Sequence, residues 1–79
     1  MRVLYFAQAA TAAGTSSEDW EKFPGGSASD VWNEAISRHP SLAALKNSSR
    51  LARNATHTAE NETFEPGDEV AILPPVSGG

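Results

Sequence analysis

The stretch Gly67-Asp68-Glu69-Val70-Ala71-Ile72-Leu73-Pro74-Pro75-Val76-Ser77-Gly78-Gly79 holds a turn, a strand and an exit from a sheet in one run. Glu65-Pro66 precede it, so Pro66 and Gly67 occupy the central positions of a turn. That composition predicts type II, whose third residue needs positive φ. Val70–Leu73 is apolar on both parities, the pattern of a strand with neither face left simply to water. Pro74 and Pro75 have no N–H to give to a ladder, so they end the sheet and send the chain off extended. The residues after Pro75 then reach at most about 13–14 Å. The expected division is a folded domain over 1–75 and an extended tail over 76–79.

Arg2–Gln8 reads as the strand most like it, with Val3, Tyr5 and Ala7 on one parity and Leu4 and Phe6 on the other. Two such doubly apolar strands are expected as the central pair of the sheet. The outer face of the first is either covered within the fold or left for a partner. Ala9–Ser17 reads as a loop, Glu18–Phe23 as a half-buried strand with Trp20 and Phe23 inward, and Pro24-Gly25-Gly26 as a break. Ser27 is placed to cap a helix with Asp30 three residues on. Ala28, Val31, Trp32, Ala35 and Ile36 then form one helical stripe facing a core. Pro40 pushes His39 out of helical geometry and ends it. Ser41–Lys46 adds a short helical turn, and Leu51–Thr56 a third strand. The layout predicts an α+β domain with one main helix across a small mixed sheet.

Composition limits what such a domain does. Seventy-nine residues without cysteine make one small domain that no disulfide or thiolate metal site staples. The net charge of −4 gives neither the clustered cations that nucleic acid requires nor a polybasic patch for a membrane. The five apolar residues Val3–Ala7 are too few for a signal peptide, so a cytoplasmic location is expected. His39 and His57 are far apart, with no carboxylate at ligand spacing, and no metal site is expected. His39 suits a helix end, and His57 a surface strand. The carboxylates Glu18, Asp19, Glu21, Glu60, Glu62, Glu65, Asp68 and Glu69 read as a solvated set. The serines have no His/Asp constellation or nucleophile elbow, and Gly25-Gly26 lacks phosphate-loop spacing. The domain carries no catalytic apparatus of its own.

That leaves Gly78-Gly79. A terminal carboxylate is an anion at neutral pH and a poor acyl donor. It reacts only once a partner has converted it to an acyl-adenylate, thioester or thiocarboxylate. Glycines at this point let the chain pass close to another protein's backbone.

Val3-Leu4-Tyr5-Phe6-Ala7, Asn54 and the run from Gly67 to Gly79 together resemble the sulfur-carrier small subunit of molybdopterin synthase, in the ubiquitin-like sulfur-carrier family. The resemblance spans the chain in layout and is most specific in the final run. It implies a ubiquitin-like β-grasp fold. It also implies that Gly79 is adenylated by an ATP-dependent, ubiquitin-activating-type adenylyltransferase, with Gly78 giving passage through a narrow channel. A sulfur donor of desulfurase or rhodanese type then makes the thiocarboxylate. The large subunit receives the tail in a heterotetrameric synthase, where the sulfur goes to cyclic pyranopterin monophosphate. No bound cofactor is implied, since the ATP is used by the activating enzyme. Phe6 and Leu73 match the family's apolar docking patch, with Pro74, Pro75, Val76 and Ser77 in the inserted segment. His57 stands where the family places an apolar residue, and Asn54 is expected to hold a turn by side-chain hydrogen bonds. Two neighbouring readings share the fold and the tail. One is a carrier for thiamine-thiazole, cysteine or tungsten-cofactor synthesis, the other a modifier conjugated to lysines.

Overall fold

The computed structural model describes residues 1–57 and 62–75, the side chain of His57 excepted. Five strands form one sheet in the order β2-β1-β7-β4-β5. β1 is Arg2–Tyr5, β2 Ser17–Asp19, β4 Arg50–Arg53, β5 Thr56–His57 and β7 Glu69–Leu73. The first and last strands run parallel with Val3 opposite Val70 and Tyr5 opposite Ile72. They lie side by side inside the sheet, as their double apolarity led one to expect. A two-stranded ladder pairs β3, Gly26–Ser27, with β6, Thr63–Phe64.

Helix α2, Ala28–Arg38, packs across the sheet. Its start is the capping box anticipated from Ser27 and Asp30: the Asp30 amide donates to Ser27 Oγ at 3.2 Å and the Ser27 amide to Asp30 Oδ2 at 3.0 Å. Two orphan amides at the helix end are thereby satisfied. Val31, Trp32 and Ala35 are buried against Val3, Tyr5, Trp20, Leu42, Phe64, Val70 and Ile72, with Ala28 and Ile36 packed at the margin. A 3₁₀ segment, Pro40–Leu45, follows and drives Leu42 into the same core. Among the described residues no helix is long and apolar enough to cross a membrane.

The structure departs from the sequence expectations at four places. The strand expected over Arg2–Gln8 ends at Tyr5, and Gln8 joins Ala9–Ala13, expected as loop, in helix α1, Gln8–Ala13, ended by Gly14 at φ 76° with its amide on Ala10 O at 2.9 Å. The strand expected over Glu18–Phe23 is only Ser17–Asp19, after which Trp20 donates to Met1 O and the chain turns. The third strand stops at Arg53. Asn54 and Ala55, at φ 51° and 69°, make a two-residue hairpin turn into β5, the left-handed pair a type I′ turn needs. Gly67 does not have positive φ, so the 65–68 turn is not type II. It is closed by the Asp68 amide on Glu65 O at 3.0 Å and by the Asp68 side chain accepting from the Glu65 amide at 2.8 Å.

Candidate functional site: an open sheet face beside the tail root

Side chains of a strand alternate between faces, and here both sets are apolar. Val3, Tyr5, Val70 and Ile72 go to the helix-covered face. Leu4, Phe6, Ala71 and Leu73 go to the other, which no element of the described chain covers. Phe6 is 46% exposed, the one large apolar side chain exposed to that degree among the described residues. Leu4, Phe6, Ala52, Ala55, Glu69, Ala71 and Leu73 line a cavity of about 210 Å³ on this face. The small residues Ala52 and Ala71, paired across β4 and β7, form its floor. The larger Phe6 and Leu73 stand at one end.

Two local features set the shape. Ala7, at φ 48° and ψ −126°, ends β1 and swings the chain into α1. Phe6 is therefore the last residue on the ladder, its amide on Ile72 O at 3.3 Å. At the opposite end of β7, Asp68 is a buried carboxylate. It accepts from the Glu65 amide, from Arg53 Nε and from Asn54 Nδ2 at 3.1 Å. Asn54 in turn receives the Glu69 amide on Oδ1 at 2.9 Å and gives its own amide to Glu69 O at 2.7 Å. The Glu65 amide foremost, and the Arg53 guanidinium after it, hold the Asp68 carboxyl below its ordinary range. This clamp fixes the register of β7, and a one-residue slip would exchange the two faces. It therefore determines where Leu73, Pro74 and Pro75 leave the sheet.

A second carboxylate also departs from the solvated reading. Glu18, opposite Val3 on the inward side of β2, accepts from Tyr5 Oη at 2.7 Å, Trp20 Nε1 at 3.2 Å and His39 Nε2 at 2.8 Å. Burial works to raise its pKa, and these hydrogen bonds outweigh that, so the carboxyl sits below its ordinary value. Burial and the adjacent Glu18 push the Tyr5 hydroxyl well up. His39 does end α2, as expected, and ties that end to the edge strand. The saturated hydrogen bonding makes this cluster a structural tie.

Of the residues singled out from sequence, the structure brings Phe6 and Leu73 together on one open face, and Asn54 holds a turn with its side chain. Pro74 is half-buried and Pro75 exposed at the tail root. Val76, Ser77, Gly78 and Gly79 lie outside the described residues, as does the His57 side chain. Among the described residues no cluster of His, Asp or Glu suits a metal ion. The sequence reading did not name Ala52, Ala55 and Ala71 as the cavity's lining. Their signal was register, which a single sequence does not print.

An α+β domain with a parallel first–last strand pair, one helix across the sheet and a bare apolar face beside the C-terminal strand defines a ubiquitin-like β-grasp protein. The chain belongs to the ThiS family, whose model matches residues 3–79. It is 35% identical over 81 residues to the molybdopterin synthase sulfur carrier subunit of Chlamydomonas reinhardtii, covering all of this chain and 98% of that one. It is also 35% identical, over 82 residues, to the human protein of the same name, covering 100% and 93%. Among solved structures, SAMP1 from Haloferax volcanii superposes with a TM-score of 0.83 at 28% identity, over 100% and 98% of the two chains. The small archaeal modifier protein 1 from Methanosarcina acetivorans gives 0.79 at 26%, over 99% and 94%.

Proposed function

We propose that this protein is a sulfur carrier for molybdenum-cofactor biosynthesis, the small subunit of a molybdopterin synthase, with Gly79 as its reactive terminus. The observation that carries the reading is the full-length likeness to relatives named molybdopterin synthase sulfur carrier subunits. The geometry supports it: the strand leading to the tail lies inside the sheet, held in register by Asp68 and Asn54, and the open face beside it offers a docking surface.

In this reading the chain supplies a terminus and a handle, and partners supply the chemistry. A Gly79 carboxylate oxygen attacks the α-phosphorus of ATP on an activating enzyme, releasing pyrophosphate and leaving an acyl-adenylate. The terminal sulfur of the donor's persulfide displaces AMP to give an acyl disulfide, and a second thiol cleaves its S–S bond, forming a disulfide with the donor's sulfur and leaving the thiocarboxylate on Gly79. The domain over 1–75 docks on the large subunit through Phe6, Leu73 and their neighbours. Pro74-Pro75 holds the tail root stiff and lowers the ordering cost of inserting Val76–Gly79. The sulfur then passes to the pterin precursor bound by that subunit.

The test is the intact mass of the protein before and after incubation with ATP, the activating enzyme and a sulfur source. A gain equal to exchanging one oxygen for sulfur, localised to Gly79, is expected. An unchanged carboxylate would remove the carrier reading. The likeness to a small archaeal modifier protein favours one second reading, conjugation through the same activated terminus. It predicts high-mass adducts that depend on Gly79.

A further inference from the structure

Six cations stand against ten acids in this chain, and three of the six are committed to ion pairs. Arg2 lies 4.0 Å from Glu69, Arg38 pairs with Glu34, and Arg53 with Asp68 and Glu62. Among the described residues Lys22, Lys46 and Arg50 have no ion pair, and of these only Arg50 stands on the sheet. Its place there is specific. Arg50 is opposite Leu73 across the β4–β7 ladder, one step from the Leu51–Ile72 pair that faces the core. It is therefore on the open face, exposed, in one row with Phe6 and Leu73, at the end where Pro74 and Pro75 leave.

We propose that Arg50 is a recognition residue: it meets an acidic side chain on the protein surface that receives the tail. The proposal rests on the carrier reading and names the chemistry of the partner at that site. The open face is polarised, with Arg2 and Glu69 neutralising one another at one end of the groove and a lone guanidinium at the other. A carboxylate on the partner beside the mouth of its tail channel pairs with that guanidinium in a fixed fork geometry. An uncharged or basic surface would leave it unpaired or repelled, which is how a rim charge selects a partner. The chain's net negative charge repels acidic surfaces at long range, so Arg50, the one Lys or Arg without an ion pair on this face among the described residues, decides which acidic surface is admitted, and in what orientation.

A plainer role is available to the same residue. β4 lies next to β5, the outermost strand of the sheet, and a charge close to a sheet edge discourages strand addition. The two roles predict different binding behaviour.

The experiment measures association of the full-length carrier with the molybdopterin synthase large subunit at low and high salt, for the wild type, R50K, R50A and R50E, with melting temperature as the folding control. Recognition predicts about ten-fold slower association for R50A, a larger loss for R50E, and near-normal association for R50K. The salt dependence should be visibly shallower in R50A than in the wild type. Equal association and equal salt dependence for all four, with a wild type that binds and takes up sulfur at Gly79, would overturn the role of Arg50 and leave the carrier reading intact. A wild type that neither takes up sulfur nor binds the large subunit would fail the carrier reading, and the proposal with it.

Discussion

Val3, Tyr5, Val70 and Ile72 point to one side of the sheet and Leu4, Phe6, Ala71 and Leu73 to the other, and the same two strands provide both sets. On the first side α2 and the 3₁₀ segment close over the residues until Val3, Val70 and Ile72 are fully buried. Every polar group named there has a partner: Tyr5 and Trp20 donate to Glu18. On the second side nothing within the described chain closes, and a groove of about 210 Å³ remains. A small domain has little apolar surface to spare for its core, so leaving Phe6 and Leu73 outside it costs stability, which in the proposed function the docking partner recovers. The difference is between residues that hold the fold and residues that the proposed function assigns to docking.

The largest effect should come from the covered side. Ile72→Ala empties a sealed site, and such truncations cost about 2–5 kcal/mol. In a domain of this size that is a large share of total stability. Thermal denaturation should show a drop of many degrees. A drop no larger than that of Ala71→Ser on the open side would mean that the two faces are not energetically distinct.

Phe6→Asp tests the open side. Melting should change little, because Phe6 is already half in water. Affinity for the large subunit should fall by about 30-fold or more, the loss of an apolar anchor worth roughly 2 kcal/mol. A large loss of melting temperature with unchanged affinity would place Phe6 with the core instead.

A third test uses pH and acts only on the covered side and its clamp. Glu18 and Asp68 both have folded-state pKa values below their ordinary 4.5 and 3.8. The unfolded chain therefore binds their protons first as pH falls. The stability they contribute is complete above those ordinary values, declines as pH drops below them, and is gone below the lowered folded values. Tyr5 gives the opposite limb: its pKa is raised from 10.0, so its contribution is complete below pH 10 and declines as pH rises beyond it. Glu18→Gln should flatten part of the acid limb in a series of denaturation curves. An acid limb identical to wild type would show that the Glu18 tie is not formed in solution.

How much of this was legible follows the same division. The strand pair and α2 were readable because their signals are local: apolar runs with proline stops, and a stripe at helical spacing behind a capping pair. Helix α1 was missed because Gln8–Ala13 has no stripe of large apolar residues. Its available signal was the alanine content, alanine being the best helix former, together with Gly14 as the stop. Glu18 and Asp68 read as solvated acids because their partners, Tyr5 and His39 for one and Arg53 and Asn54 for the other, are distant in sequence. The Pro66-Gly67 pair pointed to the wrong turn because the Asp68 side chain, invisible to turn composition, closes the loop instead. Of the open face, Phe6 and Leu73 were legible as residues of the second apolar parity. The alanine floor and Arg50 needed the β4–β7 register, which is a tertiary fact.

The smallest expected effect lies on the groove's rim. Ala55 occupies the second left-handed position of the β4–β5 turn at φ 69°, where an L residue with a Cβ costs about 1–2 kcal/mol. Asn54 before it tolerates that region, and Asn-Gly is the preferred pair for this turn. Ala55→Gly therefore relieves the strain, and the added freedom of the unfolded chain takes back about 0.4–1 kcal/mol. The net gain should be below about 1 kcal/mol, a rise of a few degrees in melting temperature for a domain of this size. Ala55 also lines the groove, so loss of its methyl is felt by whatever docks there. A variant that melts higher yet binds the large subunit no better, or slightly worse, would show that stability and docking separate even at a residue belonging to both. A fall in melting temperature would mean that the Asn54–Glu69 bonds already determine the turn and that the methyl contributes packing.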